Sequence, residues 1–275
     1  MISAPELSER HDAARRIARA AGALALDYFV HRDRLDVEVK GVSDYVSHAD
    51  RDVENTIRRE LARAFPRDTF LGEETASGFD GPIERCWVVD PIDGTHNFLR
   101  GTPYWNVSIG FVADGVTQVG AVFDPPADAL HHAHRGGGAY CESAGRDVRV
   151  HAAKTRDLAG SYVVLGHHDR SFDARYFDIR RRMMERGVAM RNFGSAALQL
   201  AHVASGRLDA FVELQLSWWD AVAGLLLVEE AGGWHAPFAP DAPTAKAPCV
   251  ACAPGIAEAL AAIVPEALHR AQTGP

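Results

Sequence analysis

Residues 90–98 read DPIDGTHNF and follow directly on the apolar run Cys86-Trp87-Val88-Val89. Two carboxylates three residues apart, with a proline and a glycine beside them, here leave a buried strand. Taken alone the stretch is turn chemistry: Pro91 presets φ, the Asp side chains cap nearby amides and Gly94 accepts positive φ. Other acids change the balance. Leu71-Gly72-Glu73-Glu74 ends a second apolar strand in consecutive acids, and Trp218-Trp219-Asp220 sets an acid beside large apolar side chains at an expected helix start. Carboxylates buried at strand ends are unfavourable unless a cation or donor compensates them. Glu73, Asp90, Asp93 and Asp220 can therefore converge as an all-oxygen cluster, whose hard ligands suit Mg²⁺ or Mn²⁺ better than zinc.

The rest of the stretch fits the same plan. The Ile92 carbonyl, freed from strand pairing, offers a further ligand, and Gly94 and Thr95 open a short helix whose N–H groups can hold a phosphate. Thr95 adds a hydroxyl able to orient a water. Together these predict metal-assisted hydrolysis of a phosphate ester by two ions about 4 Å apart. The overall balance of 29 basic and 37 acidic residues, a net charge of −8, argues against nucleic-acid binding. Four clustered acids also repel phosphate until divalent ions fill them, so binding is expected to depend on metal.

No apolar run reaches the roughly 18 residues of a membrane span, and the N-terminus has no apolar signal core, so a cytoplasmic location is expected. The cysteines are Cys86, Cys141, Cys249 and Cys252; the C-x-x-C pair in APCVACAPG has no partner pair nearby and reads as buried reduced thiols. His131, His132 and His134 lie in a strand-like segment read as a solvated edge, with a two-histidine metal site as the alternative. Arg180-Arg181-Arg182 reads as one exposed helix surface, and Trp218 and Trp219 as packing residues.

Periodicity predicts helices over 3–29 and 50–65 followed by strands at 69–72 and 86–89 and a hairpin with arms 107–112 and 116–123 around Asp114-Gly115. From 161 the pattern alternates: strand 162–165, helix 173–186, strand 188–191, helix 195–204, strand 208–214, a helix from 219 ended by Gly232-Gly233, then a strand and helix after Pro248. The expected class is α+β in the first half and α/β in the second. A single unit over 1–275 is predicted, with an α+β metal-binding lobe over about 1–153 and an α/β lobe over about 154–275.

These residues resemble the inositol monophosphatase family of magnesium-dependent, lithium-sensitive phosphatases. Gly72-Glu73-Glu74, Asp90-Pro91-Ile92-Asp93-Gly94-Thr95-x-Asn97-Phe98, Trp219-Asp220 and Glu230-Ala231-Gly232-Gly233 occur in the family's order. The resemblance implies a layered α/β/α/β/α sandwich of the inositol monophosphatase and fructose-1,6-bisphosphatase type, and a homodimer. It implies that Glu73, Asp90, the Ile92 carbonyl, Asp93 and Asp220 hold two to three Mg²⁺ ions, with Mn²⁺ a substitute and Li⁺ inhibitory. Water activated by Glu73 and Thr95 is the implied nucleophile, and Asp50, in Lys40-x-x-x-Asp44-x-Val46-Ser47-x-x-Asp50, falls where the family hydrogen-bonds that threonine. Asp93, Gly94, Thr95, Ser195, Ala196, Glu213 and Asp220 are the implied substrate contacts.

Gly194-Ser195-Ala196-Ala197 and Glu213 match the inositol phosphatase branch, which implies hydrolysis of myo-inositol phosphate, a small phosphorylated polyol, to myo-inositol and phosphate. Histidinol phosphate, a nucleotide bisphosphate or a sugar phosphate are the alternative substrates. His96 and Ser47 stand where threonine is frequent and Trp218 where a smaller residue is usual, departures that bear on substrate preference. D-x-D-x-T, C-x5-R, G-x-x-x-x-G-K-[ST] and H-E-x-x-H are all missing. A reading of another class is a regulatory binding protein that keeps the phosphatase fold, since some bacterial members bind transcription machinery.

Overall fold

Ser3 starts the first helix with a reciprocal cap. Its Oγ accepts from Glu6 N at 3.4 Å and its own N donates to Glu6 Oε2 at 3.1 Å, satisfying amides that a first turn leaves open. Helix α1 (Ala4–Val30) buries Ala14, Ile17, Ala18, Ala21 and Ala25 along one stripe. The fold comes from a computed structural model that describes residues 2–34, 37–41, 44–79, 81–166, 173–238 and 242–265. The side chains of 34–47 lie outside the description, among them Lys40, Asp44, Val46 and Ser47 of the run leading to Asp50.

A two-stranded pair, β1 (Val37–Gly41) and β2 (Asp44–Ser47), leads into α2 (His48–Ala64). Seven strands then form one sheet in chain order: β3 (Thr69–Gly72), β4 (Arg85–Asp93), β5 (Asn106–Ala113), β6 (Val116–Asp124), β7 (Ala129–His134), β8 (Gly138–Ser143) and β9 (Arg146–Arg149). Only β3 and β4 run parallel. The second sheet holds β10 (Tyr162–Leu165), β11 (Ala189–Arg191), β12 (Ala210–Leu216), β13 (Trp234–His235) and β14 (Ala247–Cys252), ordered β11-β10-β12-β14-β13. The remaining helices are α3 (Thr95–Arg100), α4 (Ala174–Glu185), α5 (Ala196–Ala204), α6 (Trp218–Glu230) and α7 (Ala257–Ala261). Among the described residues no helix is long and apolar enough to cross a membrane.

Strand alternation explains the layering. Val119, Ala121 and Phe123 of β6 face a core shared with α1 and α2, while Val122 faces α5 and α6. In the second sheet Val164, Phe211 and Ala251 meet the same two helices, and Val163, Val212 and Val250 turn the other way onto Ile179 and Met183 of α4 and Leu260 of α7. Both sheets are covered on both faces, giving the α/β/α/β/α sandwich that the family resemblance implies.

Two expectations need correction. The last strand begins at Ala247 and contains Pro248, which is tolerated because β12 bulges opposite it: three steps from Glu213 to Leu216 span two from Cys249 to Ala247. The polar-looking 129–149 segment adds three strands to the first sheet. His131 and His132 are therefore no solvated edge: β7 lies between β6 and β8, and both rings are buried. His132 joins His11 of α1 (Nε2 to Nδ1, 3.0 Å) to Asp147 Oδ1 (3.0 Å). Burial pushes His11 and His131 down to about 3, which keeps both neutral at pH 7.

Helix α6 crosses the first sheet over paired glycines, Gly110 of β5 opposite Gly120 of β6. A Cβ on Gly120 would lie 2.7 Å from Ala223 O, and one on Gly110 2.7 Å from Val222 Cγ2, so the helix rests on bare backbone. Overpacking here has no flexible side chain to absorb it. Gly120→Ala is expected to lower unfolding free energy by about 1–3 kcal/mol in denaturant titration, whereas Gly78→Ala, with nothing within 4 Å of its added Cβ, leaves the midpoint close to wild type.

Candidate metal centre

Strand β4 is buried almost throughout and ends in a bulge. Asp90 pairs with Ser108 and Asp93 with Asn106, so three steps on β4 span two on β5. Residues three apart on a regular strand face opposite ways; the bulge, at a proline that has no N–H to donate, brings both carboxylates to one side. Asp90 Oδ1 accepts Ile92 N at 3.0 Å. Gly94 follows at φ 97, and a Cβ there would sit 3.1 Å from Gly194 O, Ser195 Cβ and Tyr104 O. Only glycine allows that turn into α3.

Asp220 reaches the same place from the first turn of α6, where it accepts Ser217 N at 3.2 Å. Among the described residues, Asp90, Asp93 and Asp220 form the one group of acids whose ligand atoms lie within 4.8 Å of one another. Glu73, half-buried at the start of the 3₁₀ turn Glu73–Gly78, falls outside that group, yet its charge acts on Asp90. Burial first, then Glu73, Asp93 and Asp220, holds the Asp90 carboxyl far above the usual range. Burial and Asp93 raise Asp220 to about 6, against lowering contributions from Asp90, Ser217 and Lys246.

Asp93 is anchored by four donors. Its Oδ2 accepts Asn106 Nδ2 at 2.6 Å, Ser195 Oγ at 2.8 Å and Ala197 N at 2.8 Å, while Oδ1 accepts Ala196 N at 3.1 Å. The two amides belong to the N-terminus of α5, where the helix dipole also favours a negative charge. These bonds pull its carboxyl down, but burial wins and the net direction is up. Ser195 and Ala196, expected beside a substrate, thus spend these polar groups on Asp93.

Thr95 Oγ1 lies 3.1 Å from Ile92 O and 3.4 Å from Asp50 Oδ1, and Asp50 is buried in the first turn of α2. Glu213 on β12 covers Gly166 so closely that a Cβ there would lie 2.1 Å from its Oε2. Burial first, then the charges of Glu213 and Asp220, pushes the Cys249 thiol up, so both acids act on that residue. Cys249 packs towards α5 and α6 and Cys252 towards α4 and α7, so on a strand the C-x-x-C thiols face opposite ways and cannot share a metal. His96 is exposed, and Trp218 and Trp219 pack beside Val222 as expected.

Three participants carried no motif signal. Asn106 is a buried amide at the start of a mostly apolar strand whose other polar residue is Ser108, and that polarity is its one clue. Glu54 is buried on α2 four residues beyond Asp50, and Lys246 acts on Asp220 from the loop before β14. Three carboxylates packed together, with carboxyls raised by burial and then by their neighbours, fit a hard divalent cation, and the all-oxygen donor set suits one.

Comparison with known proteins gives the same direction. The family model described as the inositol monophosphatase family matches residues 6–269. The inositol-1-monophosphatase of Rhizobium meliloti is 43% identical over 220 residues, covering 79% of this chain and 81% of its own. The Nus factor SuhB of Xylella fastidiosa is 39% identical over 229 residues, 82% of this chain and 81% of its own. The crystal structure of the extragenic suppressor protein suhB from Bartonella henselae superposes with a TM-score of 0.81 at 32% identity, over 92% of this chain and 97% of that one.

The acids make a prediction for metal-free protein. A carboxyl raised from about 3.9 unfolded to about 6 folded destabilises fully above pH 6, and that penalty disappears as pH falls below about 4. Asp220→Asn should therefore raise the metal-free melting temperature most at pH 8, with the gain shrinking at pH 5, as followed by thermal scans in chelator.

Proposed function

The chain belongs to the inositol monophosphatase family, and from that premise we propose that it is a magnesium-dependent phosphomonoester hydrolase whose substrate is an inositol monophosphate. The family acts on phosphorylated substrates and is metal-dependent. Glu73, Asp90, the Ile92 carbonyl, Asp93 and Asp220 would hold the ions. Bound magnesium supplies charge neutralisation at the phosphoryl oxygens and lowers the pKa of water in the site.

The chain's own groups do the rest. Asp50 orients the Thr95 hydroxyl; with the Thr95 proton given to Asp50 Oδ1, the threonine oxygen is left with lone pairs that accept from the attacking water and aim it. Glu73 takes the proton released as that water attacks. The amides of Gly94 and Thr95 receive the phosphate at the start of α3. Glu213 accepts hydroxyls of the polyol from the Gly166 side, and Ser195 and Ala196 act on the substrate through the Asp93 carboxylate they fix. The convergence of three carboxylates within 4.8 Å carries this reading.

The Nus factor relatives favour a second reading, in which binding to a macromolecular partner is the main role. One experiment separates them: phosphate release from myo-inositol 1-phosphate, histidinol phosphate, fructose 1,6-bisphosphate and adenosine 3′,5′-bisphosphate, with magnesium present or chelated. Turnover is expected to favour the inositol phosphate, to vanish in chelator, and to fall at least about 100-fold in Asp93→Asn, the loss of roughly 3 kcal/mol of charge stabilisation. A wide margin for another substrate overturns the role given to Glu213, and no hydrolysis of any substrate favours the binding role.

A further inference from the structure

Glu54 is a buried carboxylate that the mechanism above leaves unused. It lies one helical turn beyond Asp50 on α2, with Arg58 one turn further, so the three share a face. Asp50 meets the Thr95 hydroxyl; Glu54 meets the turn that carries Glu73. Its Oε2 accepts Glu74 N at 2.8 Å, and its Oε1 accepts Thr75 Oγ1 at 2.8 Å and Arg58 Nη2 at 3.1 Å. Arg58 Nη2 also donates to Thr75 Oγ1. On the strand side the fit is closed: a Cβ on Gly72 would lie 2.3 Å from Glu54 Oε2, so the carboxylate occupies space that only glycine leaves free.

Glu73 is thereby bracketed. The residue before it lies against the Glu54 carboxylate, and the next two donate to it. The segment needs such a tie, because Glu73 and Asp90 repel each other and the six-residue 3₁₀ turn is weakly bonded on its own account.

We propose that Glu54 is a positioning residue: it ties the Glu73–Gly78 turn to α2 and so holds the Glu73 carboxylate at the metal site against the repulsion of Asp90. The inference rests on the reading of Glu73 as a metal ligand. Removing a carboxylate that merely stabilised the fold would lower the melting temperature equally with and without the ion. A positioning carboxylate alters the response to the ion itself.

The test uses the full chain stripped of divalent ions, in wild-type form and as Glu54→Gln and Thr75→Ala. Melting temperature is followed against added magnesium chloride alone, and kcat, KM and half-saturating magnesium are measured with myo-inositol 1-phosphate. Loss of an outer partner of a metal ligand weakens metal affinity about 10- to 100-fold. Glu54→Gln is expected to raise half-saturating magnesium by that factor in both readouts, lowering kcat while leaving KM for the phosphate ester near wild type. Thr75→Ala, which removes one of the three bonds, shifts in the same direction by less. A folded Glu54→Gln protein whose magnesium titration matches wild type overturns the inference while leaving the phosphatase reading intact. Should Glu54→Gln not fold, an unchanged magnesium titration in Thr75→Ala overturns it equally. A wild-type protein whose melting and turnover both ignore magnesium overturns the metal reading and this inference with it.

Discussion

Like charges held close together in a poorly solvated place are the constraint around which this molecule is arranged. Each ionised pair among Asp90, Asp93 and Asp220, within 4.8 Å, repels by at least about 3.5 kcal/mol even at an effective dielectric of about 20. Three such pairs rival the whole stability of a typical domain, about 5–15 kcal/mol. The acids therefore cannot all be charged without a compensating cation; burial first, then the neighbouring acids, holds the Asp90 and Asp220 carboxyls above the usual range. Asp93 is treated differently. Four donors from two sheets' worth of structure keep it in place, so one member of the group is fixed whatever the state of the others.

The elements of the fold were legible in the sequence where the signals were local, while the five-layer stacking came from the family resemblance. Proline, glycine and capping residues marked α1, α2, α5 and α6, and strand patterning marked β3 to β6. The convergence of Asp90, Asp93 and Asp220 could be suspected because each ends or begins an element beside apolar residues, whereas Glu73, marked by the same signal, falls outside that group. What was not legible depends on partners distant in the chain. His132 looks polar by itself, and only the placement of β7 between β6 and β8 with α1 above makes it a buried member of a His11–His132–Asp147 chain. The bulge at Pro91 is likewise a property of the β4–β5 register rather than of either strand. Asn106 and Glu54 lack a motif because their work is done on backbone and side chains fixed by other elements.

Helix α6 shows how far from the chemistry the determinants lie. Its first turn delivers Asp220, but its height above the sheet is set by Gly110 and Gly120 near its middle. A methyl group there would press on Val222 and Ala223, two and three residues along the helix from Asp220. Sequence reading treats such glycines as weak points in strands; here they set the distance between the sheet and the helix that bears an acid.

The Asp93 anchor also bears on heredity. Asp93 and Asn106 come from the first sheet, whereas Ser195, Ala196 and Ala197 stand at the start of α5, between β11 and β12 of the second. A chimera that grafted the second half of a distant relative onto the first half of this chain would inherit its new specificity only if the graft also reproduced these donors. A graft whose α5 start lacked these donors would leave the Asp93 carboxylate with Asn106 alone of its four donors.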